Sequence, residues 1–231
     1  MPSHISVIIP ALNEAESIGF VVASMPWGQI SECIVIDNGS TDGTSEIASA
    51  AGARVIKSPR GYGAAMHTGA IEALASSIIL VCMDGDGSDC IEDFSRLVGP
   101  IERDEADFVI GSRMRGKRDS KSMLVSQLFA AFLMGWLAKI VYGYRYTDMG
   151  PFRAIRRSSL EQMQMSEMTY GWNLEMQLKA IQLGLRIREI PVNYKRRIGG
   201  ESKVSGNLKA SVEAGCRIIG VFLRVRRGAK S

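Results

Sequence analysis

The first half of the chain alternates short apolar runs with segments of helical period. Strand-like runs lie at residues 5–9, 33–36, 54–57, 78–83 and 108–110, and helical patterns lie between them at 14–25, 44–51, 64–75 and 90–101. Strands and helices in regular alternation fold into a mainly parallel sheet with right-handed crossovers and helices on both faces. The sequence therefore predicts a doubly wound α/β fold.

The pattern changes after about residue 112. A basic loop at 113–121 precedes a predicted helix over 124–141, a short strand over 150–155, a helix over 172–183 and a strand over 186–194. A second basic loop at 196–207 leads into a final predicted helix over 208–226. We divide the chain into a domain at 1–206, with one half at 1–112 and another at 113–206, and a basic amphipathic C-terminal helix within 207–231.

Composition narrows the class of protein. With 46% hydrophobic and 23% charged residues, the chain resembles a globular enzyme, and its start shows no secretory signal pattern, so we expect a cytosolic protein. The longest apolar run, 128–138, is shorter than the roughly 20 residues of a membrane-spanning helix. A buried amphipathic helix is the preferred interpretation of that run, and an interfacial helix is the alternative.

Positive charge is concentrated at the C-terminal end. From residue 186 onward there are 12 Lys and Arg against 3 Asp and Glu, a local net charge of +9, which leaves −5 for the preceding residues. The final basic cluster has no interleaved aromatic residues, so nucleic acid is not the expected partner. Phosphate groups of a substrate or an anionic membrane surface fit better, and the final helix either packs on the domain or contacts lipid peripherally.

Polar clusters follow the first four predicted strands, at residues 10–14, 37–44, 60–63 and 84–87. Because the carboxyl ends of parallel strands lie along one edge of a sheet, these clusters converge on one crevice. Asp84 and Asp86 supply hard oxygen ligands suited to Mg²⁺ or Mn²⁺, and such an ion would hold a diphosphate. A turn without any ligand would also favour Asp and Gly here. The prediction of a ligand site therefore depends on the convergence of the four polar clusters.

Two glycine-containing segments are less specific. Gly61 and Gly63 flank Tyr62 before a helix, where they either let a nucleotide approach the backbone or shape a turn. The loop at 196–203 contains Arg197 and Lys203, which would neutralise charge on a leaving diphosphate; a solvated basic loop is the alternative.

Six motifs together resemble one family: VIIPALNE at 7–14, IDNGSTDGT at 36–44, DGD at 84–86, GSR at 111–113, DMGPFR at 148–153 and RIGGESK at 197–203. In this order they are similar to the family 2 glycosyltransferases, in the branch of dolichol-phosphate mannose synthase. The resemblance covers about residues 5–205 and implies a GT-A fold. It also implies inverting transfer of a hexose from a nucleotide-diphosphate sugar, of UDP-glucose or GDP-mannose type, to a polyprenyl or dolichyl phosphate.

The resemblance also implies roles for individual residues. The half at 1–112 would bind the nucleotide sugar, and the half at 113–206 would be the acceptor half. The nucleotide pocket would be lined by Pro10, Asn13, Glu14 and Asp37. The ribose and the divalent ion would be held by Asp84 and Asp86. The diphosphate or an acceptor phosphate would be faced by Arg113, Arg197, Ser202 and Lys203.

The chain departs from the family pattern at Asn38, where a second acid is common, and at Ser88, where the lipid-phosphate branch commonly has an amide. A hydroxyl acceptor would need a base, for which Glu175 and Asp148 are candidates, whereas a phosphate acceptor would need none. For Glu175 the alternative is a solvated acid on a helix. Two other functions stay open: a sugar-phosphate nucleotidyltransferase and a non-catalytic nucleotide-sugar or membrane-surface binding module.

Overall fold

The structure, a computed structural model, describes residues 4–120, 122–123, 125–199 and 220–226. Seven strands form one sheet: β1 Ile5–Ala11, β2 Glu32–Asp37, β3 Arg54–Lys57, β4 Ile79–Cys82, β5 Phe108–Ser112, β6 Arg153–Arg156 and β7 Ile187–Pro191. The helices are α1 Ile18–Ala23, α2 Thr44–Ala50, α3 Tyr62–Glu72, α4 Phe94–Glu102, α5 Val125–Tyr142, α6 Arg157–Met163 and α7 Trp172–Gln182, with a 3₁₀ turn at Ile91–Asp93. Residues 220–226 are also helical.

The strand order is β3-β2-β1-β4-β6-β5-β7. β6 runs antiparallel to both of its neighbours, and every other pair in the sheet is parallel. The chain moves outward from β1 to β2 and β3, and then returns to place β4 on the other side of β1. The carboxyl ends of β1 and β4 therefore flank a topological switch point, which is where open α/β sheets bind ligands.

Each face of the sheet has its own apolar core. Val7 and Ile9 of β1 pack with α1, α2 and α4 on one face, whereas Ile8 packs with α3, α5 and α7 on the other. Because both faces are covered, β4 is an uninterrupted apolar run and β1 is apolar except at Ser6. The predicted doubly wound, mainly parallel fold is confirmed.

Some details were not predicted. The reversal of β6 has no signature in an apolar alternation, and helix α6 falls in a stretch for which no element was predicted. Helix α1 begins at Ile18, four residues later than predicted, because the backbone N–H groups of Glu14 and Ala15 donate to the side chains of Thr44 and Asp42.

The described part of the C-terminal helix packs on the domain. Val221, Phe222 and Val225 are buried in the same core as α7, and Arg224 forms an ion pair of 3.2 Å with Glu167. Most of the predicted helix, at 208–219, lies outside the described residues. Across the described ranges, no helix is both long and apolar enough to span a bilayer.

Candidate active site

Two loops at the switch point are joined to each other. Asn13 has a left-handed backbone (φ 51°), which asparagine tolerates well, and its side-chain oxygen accepts the N–H of Thr41 at 2.9 Å. In return, the N–H of Asn13 donates to the hydroxyl of Ser40 at 3.0 Å. These contacts hold the loop after β1 against the loop after β2, as the convergence of strand ends predicts.

Asp37 organises the second loop. Its buried carboxylate accepts the N–H of Ser40 at 2.8 Å and the hydroxyl of Ser45 at 2.7 Å. Although burial opposes ionisation, these hydrogen bonds hold the pKa of Asp37 below its ordinary value. Asp42 lies one residue before the N-cap Gly43 and accepts the N–H of Thr44 at 3.1 Å, at the start of α2. The structure thus gives Asp37 a role in shaping the loop, in addition to its predicted place near a nucleotide.

Three carboxylates follow β4 within six residues. The buried Asp86 accepts the N–H of Ser88 at 2.9 Å, while Asp89 accepts the N–H of Asp84 at 3.0 Å. Burial, together with the charges of Asp86 and Asp89, raises the pKa of Asp84 well above its ordinary value. Burial likewise raises the pKa of Asp89 to about 7. In this acidic turn, residues 84–89, burial and mutual repulsion therefore oppose ionisation of Asp84 and Asp89, and a nearby cation favours it.

The reasoning from sequence missed Asp89. One of its carboxylate oxygens is buried and accepts no hydrogen bond from the described residues, which marks a site short of a polar partner. The signal was present as a third acid in the DGDGSD stretch, three residues after Asp86. The pair Asp84 and Asp86 satisfies the motif by itself, so the motif does not point to a third acid.

Arg197 lies across the acidic turn. Its Nη2 is 2.9 Å from Asp86 and 3.8 Å from Glu14, and its Nη1 is buried with no hydrogen-bond partner among the described residues. The backbone is also attached, since the N–H of Ile198 donates to the carbonyl of Asp86 at 3.0 Å. The loop and the acidic turn predicted to share a ligand thus meet in the fold. Ser202 and Lys203 of the same motif lie outside the described residues.

Arg113 forms a buried two-pronged ion pair. Its Nε and Nη2 each lie 2.8 Å from an oxygen of Asp148, and its guanidinium stacks 4.9 Å from the centroid of the Tyr194 ring. Asp148 is fully buried and also accepts the N–H groups of Arg113 and Met149. Arg113 therefore reaches the crevice with much of its charge neutralised. Asp148 has no exposed oxygen with which to act as a base.

Glu175 occupies a structural position. It is 1% exposed, and its carboxylate accepts the N–H groups of Ser166 and Glu167 and pairs with Lys179 at 2.9 Å. Burial opposes ionisation, but these donors hold the pKa of Glu175 below its ordinary value. A carboxylate with lowered pKa and several fixed donors is poorly suited to accept a proton. The contacts fit neither the predicted base nor the alternative of a solvated surface acid.

Gly61 and Gly63 meet protein instead of open space. A Cβ at either position would lie 2.3 Å or less from a carbonyl oxygen of the segment at 167–168, so only glycine permits this approach. The N–H groups of Gly63 and Ala64 already donate to the carbonyls of Thr169 and Met168. The start of α3 is therefore closed to a phosphate, and of the two alternatives left open, the shaping of the backbone fits this geometry.

Asn38 explains one departure from the family pattern. Its side-chain amide donates to the carbonyl of Gly61 and accepts the N–H of the same residue, both at 2.9 Å. An ionised Asp could accept but not donate, so the amide is the group that satisfies both ends of Gly61. Asn38 fixes the turn before α3 against the loop after β2.

The carboxylates fit a metal ion that shares its shell with a ligand. Among the described residues, no three His, Cys, Asp or Glu side chains are placed to enclose an ion. Mg²⁺ usually takes one or two protein carboxylates and completes its shell with water and substrate phosphates. Asp84 and Asp86 offer such a partial shell, and the excess negative charge of the acidic turn favours a cation there.

Comparisons with known proteins agree with this geometry. Residues 6–164 match the Glycosyl transferase family 2. A protein of Mycobacterium tuberculosis named as an uncharacterized glycosyltransferase is 35% identical over 211 residues, covering 91% of this chain and 94% of its own. The undecaprenyl-phosphate mannosyltransferase of Micrococcus luteus is 30% identical over 220 residues, covering 89% of each chain.

Among solved structures, the glucosyl-3-phosphoglycerate synthase of M. tuberculosis superposes with a TM-score of 0.73 at 26% identity, covering 96% of this chain and 80% of its own. The same synthase in complex with Mn²⁺, UDP-glucose and phosphoglyceric acid gives a TM-score of 0.74 at 23% identity, covering 97% of this chain and 80% of its own, a likeness that concerns the fold alone. The fold and the acidic crevice define a GT-A glycosyltransferase. Within that class, the chain belongs to glycosyl transferase family 2.

Proposed function

We propose that this glycosyltransferase moves a hexose from a nucleotide-diphosphate sugar to the phosphate of a polyprenyl-type lipid, with inversion and a divalent ion. The observation that carries the proposal is the acidic turn at the switch point, with Arg197 across it at 2.9 Å from Asp86. The carboxylates of this turn suit a metal ion, and the guanidinium of Arg197 suits the diphosphate that the metal would hold. The polyprenyl-phosphate acceptor is supported by the name of the M. luteus relative.

The donor would bind between the loops after β1 and β2. Pro10, Asn13, Glu14 and Asp37 line that space in the proposal, and the Asn13–Thr41 and Asp37–Ser40 hydrogen bonds keep it preformed. A preformed pocket loses little conformational entropy when the nucleotide binds. Gly61 and Gly63 contribute indirectly, through the position of α3.

The leaving group would be stabilised from two sides. Asp84 and Asp86 would hold Mg²⁺ or Mn²⁺, which supplies Lewis-acid stabilisation of the diphosphate. Arg197 is already held at this point by Asp86, and its buried Nη1 has no partner among the described residues. In the proposal it turns toward the diphosphate, joined by Lys203 and Ser202 of the same motif.

The contacts of Asp148 and Glu175, the two candidate bases, favour a phosphate acceptor. A sugar hydroxyl would need a general base within hydrogen-bond reach, yet Asp148 and Glu175 are both buried and fully engaged. A lipid phosphate is ionised near neutral pH and attacks without losing a proton. In the proposal Arg113, held by Asp148 beside the Tyr194 ring, is a cation that faces the acceptor phosphate.

The test is an acceptor-dependence assay. UDP-glucose and GDP-mannose are each supplied with Mn²⁺ and with or without a short, water-soluble isoprenyl phosphate, and the released nucleotide is identified. We expect acceptor-dependent release of a nucleoside diphosphate, abolished by EDTA and by Asp86→Asn, with Glu92→Gln as an unaffected control. Formation of a nucleoside triphosphate and a sugar 1-phosphate when inorganic pyrophosphate is added to the donor would indicate a nucleotidyltransferase. Binding of donor without any turnover would indicate a binding module.

Arg197→Ala separates catalysis from binding. Charge on the leaving diphosphate grows toward the transition state, so the variant should lower kcat more than it raises the donor KM. The loss expected for one charge-stabilising donor is about 10²-fold or more in kcat. A raised donor KM with an unchanged kcat would show that Arg197 only binds the donor.

A further inference from the structure

Helix α5 carries a stripe of large apolar side chains that the fold leaves uncovered. Phe132, Trp136 and Ile140 are 59%, 49% and 59% exposed, and they recur every four residues, so they lie on one face over three successive turns. The opposite side of the helix, with Ala131, Met134 and Ala138, is buried. Single exposed apolar residues are common on protein surfaces, but an aligned stripe with an aromatic centre marks an interaction surface.

The charges around this stripe are positive. Helix α5 contains no Asp or Glu over its 18 residues. Lys139 is exposed beside Ile140, and the guanidinium of Arg145 lies 5.8 Å from the centroid of the Phe132 ring. The helical segment 220–226 joins this side through the Tyr142–Phe222 ring contact at 5.9 Å, and it presents Leu223 and Arg226 to solvent. An apolar stripe bordered by cations suits an anionic surface.

We propose that the exposed face of α5 is a membrane-docking surface that inserts Phe132, Trp136 and Ile140 at the headgroup level of an anionic bilayer. Trp, with an apolar ring and a polar N–H, is well placed at that depth, and the flanking Lys and Arg pair with lipid phosphates. A second copy of the chain is a poorer occupant. Two such faces brought together would bury cations against cations, and α5 supplies no carboxylate to pair with them.

The docking face is connected to the acceptor side of the crevice. Gly135 of α5 packs against the backbone of Tyr146, where a Cβ would lie 2.1 Å from the carbonyl oxygen. The hydroxyl of the next residue, Thr147, lies 2.7 Å from that of Ser112, and Asp148 holds Arg113. Through its buried side, α5 therefore packs on the segment that positions Arg113, and docking through α5 would tie this part of the site, where the proposed lipid phosphate is used, to the bilayer. That use rests on the proposed function, whereas docking itself does not.

The test uses the full chain and vesicles of phosphatidylglycerol and phosphatidylcholine at low salt. Wild-type protein should co-sediment with the anionic vesicles and be released by high salt. The variant Phe132→Ser with Trp136→Ser should lose at least tenfold in partitioning. Phe20→Ser, which removes a 65% exposed side chain from α1 on the other face of the sheet, is the matched control and should bind as the wild type does.

A Trp27→Phe background locates the contact. It leaves Trp136 as the exposed tryptophan, since Trp172 is buried, so a blue shift and quenching by brominated lipid report insertion of α5. Vesicle binding that survives the double Ser variant, or no quenching of Trp136, would overturn the proposal. So would a wild-type dimer that the double variant dissolves. Transfer to the water-soluble isoprenyl phosphate, measured in the same variant, should be unchanged, which separates this test from that of the proposed function.

Discussion

The acidic turn at 84–89 and the region around Asp148 and Glu175 contrast in how they handle buried charge. In the turn, burial and mutual repulsion raise the pKa of Asp84 and Asp89, and one oxygen of Asp89 accepts nothing from the described residues. Around Glu175, hydrogen bonds outweigh burial and lower the pKa. A buried carboxylate without hydrogen-bond or ion-pair partners from the fold is therefore available to bind a ligand. A buried carboxylate with such partners serves the structure instead.

This contrast separates stability from function. Paired charges of the second region should stabilise the fold, because removing one partner leaves the other buried and uncompensated. The neighbouring carboxylates of the turn should destabilise the fold unless a cation is bound, since each carboxylate opposes ionisation of the others. Binding sites commonly retain such destabilising groups because activity depends on them.

The largest expected effect is a loss of stability in Asp148→Asn. The substitution keeps the shape of the side chain but leaves the guanidinium of Arg113, 12% exposed, without its counter-charge. Breaking a buried pair in this way typically costs about 3–5 kcal/mol, to be measured by urea denaturation. Glu92→Gln is the control, because both members of the Lys195–Glu92 pair are more than half exposed. Equal, small losses in both variants would remove the distinction between the two regions.

Asp84→Asn should produce opposite changes in activity and stability. Transfer should fall by about 10²–10³-fold, because the site loses part of its hold on the donor and its ion. Without metal, the free energy of unfolding at pH 7 should rise by about 1 kcal/mol, since the charge repelled by Asp86 and Asp89 is removed. Donor turnover and chemical denaturation in EDTA measure the two effects. A variant that loses stability as well as turnover would place Asp84 with the structural carboxylates.

The position of the crevice was predictable from the sequence, because the order of strands and helices determines where the carboxyl ends of strands meet. Pro10, Asn13, Asp37 and Asp84 converge for that reason alone. The reversal of β6 and the existence of α6 were not predictable, since apolar periodicity reports neither strand direction nor a short helix stabilised by packing.

The contacts of individual charged side chains were harder to predict from the sequence. Glu175 was expected either as a base or as a solvated acid because its partners Ser166 and Glu167 come from a loop whose position only the tertiary structure sets. Gly61 and Gly63 showed the same difficulty: a glycine indicates close approach but not what approaches. Partners distant in sequence decide these roles, so local motifs could not.

Gly63→Ala tests the contact between the two halves. A Cβ there would lie 2.2 Å from the carbonyl oxygen of Glu167, and overpacking against backbone of this kind typically costs about 1–3 kcal/mol. A Gly→Ala change within a helix stabilises the protein when the new Cβ meets no other atom, so a loss of stability in Gly63→Ala would be due to the contact with Glu167. Gly28→Ala, with open space around its Cβ position, is the control, and thermal denaturation is the measurement. Unchanged stability with weaker donor binding would restore the view that Gly63 faces the nucleotide.

The smallest expected effect concerns Asp107, which belongs with the paired charges. Hydrogen bonds from Arg186 lower the pKa of Asp107 to about 2, with Arg156 also contributing, and the carboxylate is 18% exposed. A carboxyl group with a depressed folded-state pKa stabilises the fold above its unfolded value of about 4 and loses that contribution as pH falls toward 2. Arg186 is 48% exposed, so solvent screening limits the contribution to about 1–2 kcal/mol.

Asp107→Asn should therefore flatten the stability profile between about pH 4 and 2 and converge with the wild type below it. Glu161→Gln is the control and should leave the profile unchanged, because Glu161 is 66% exposed and lies 4.0 Å from Arg157. An unaltered acid limb in Asp107→Asn would mean that the Asp107–Arg186 pair, unlike Arg113 and Asp148, adds nothing to the stability of the fold.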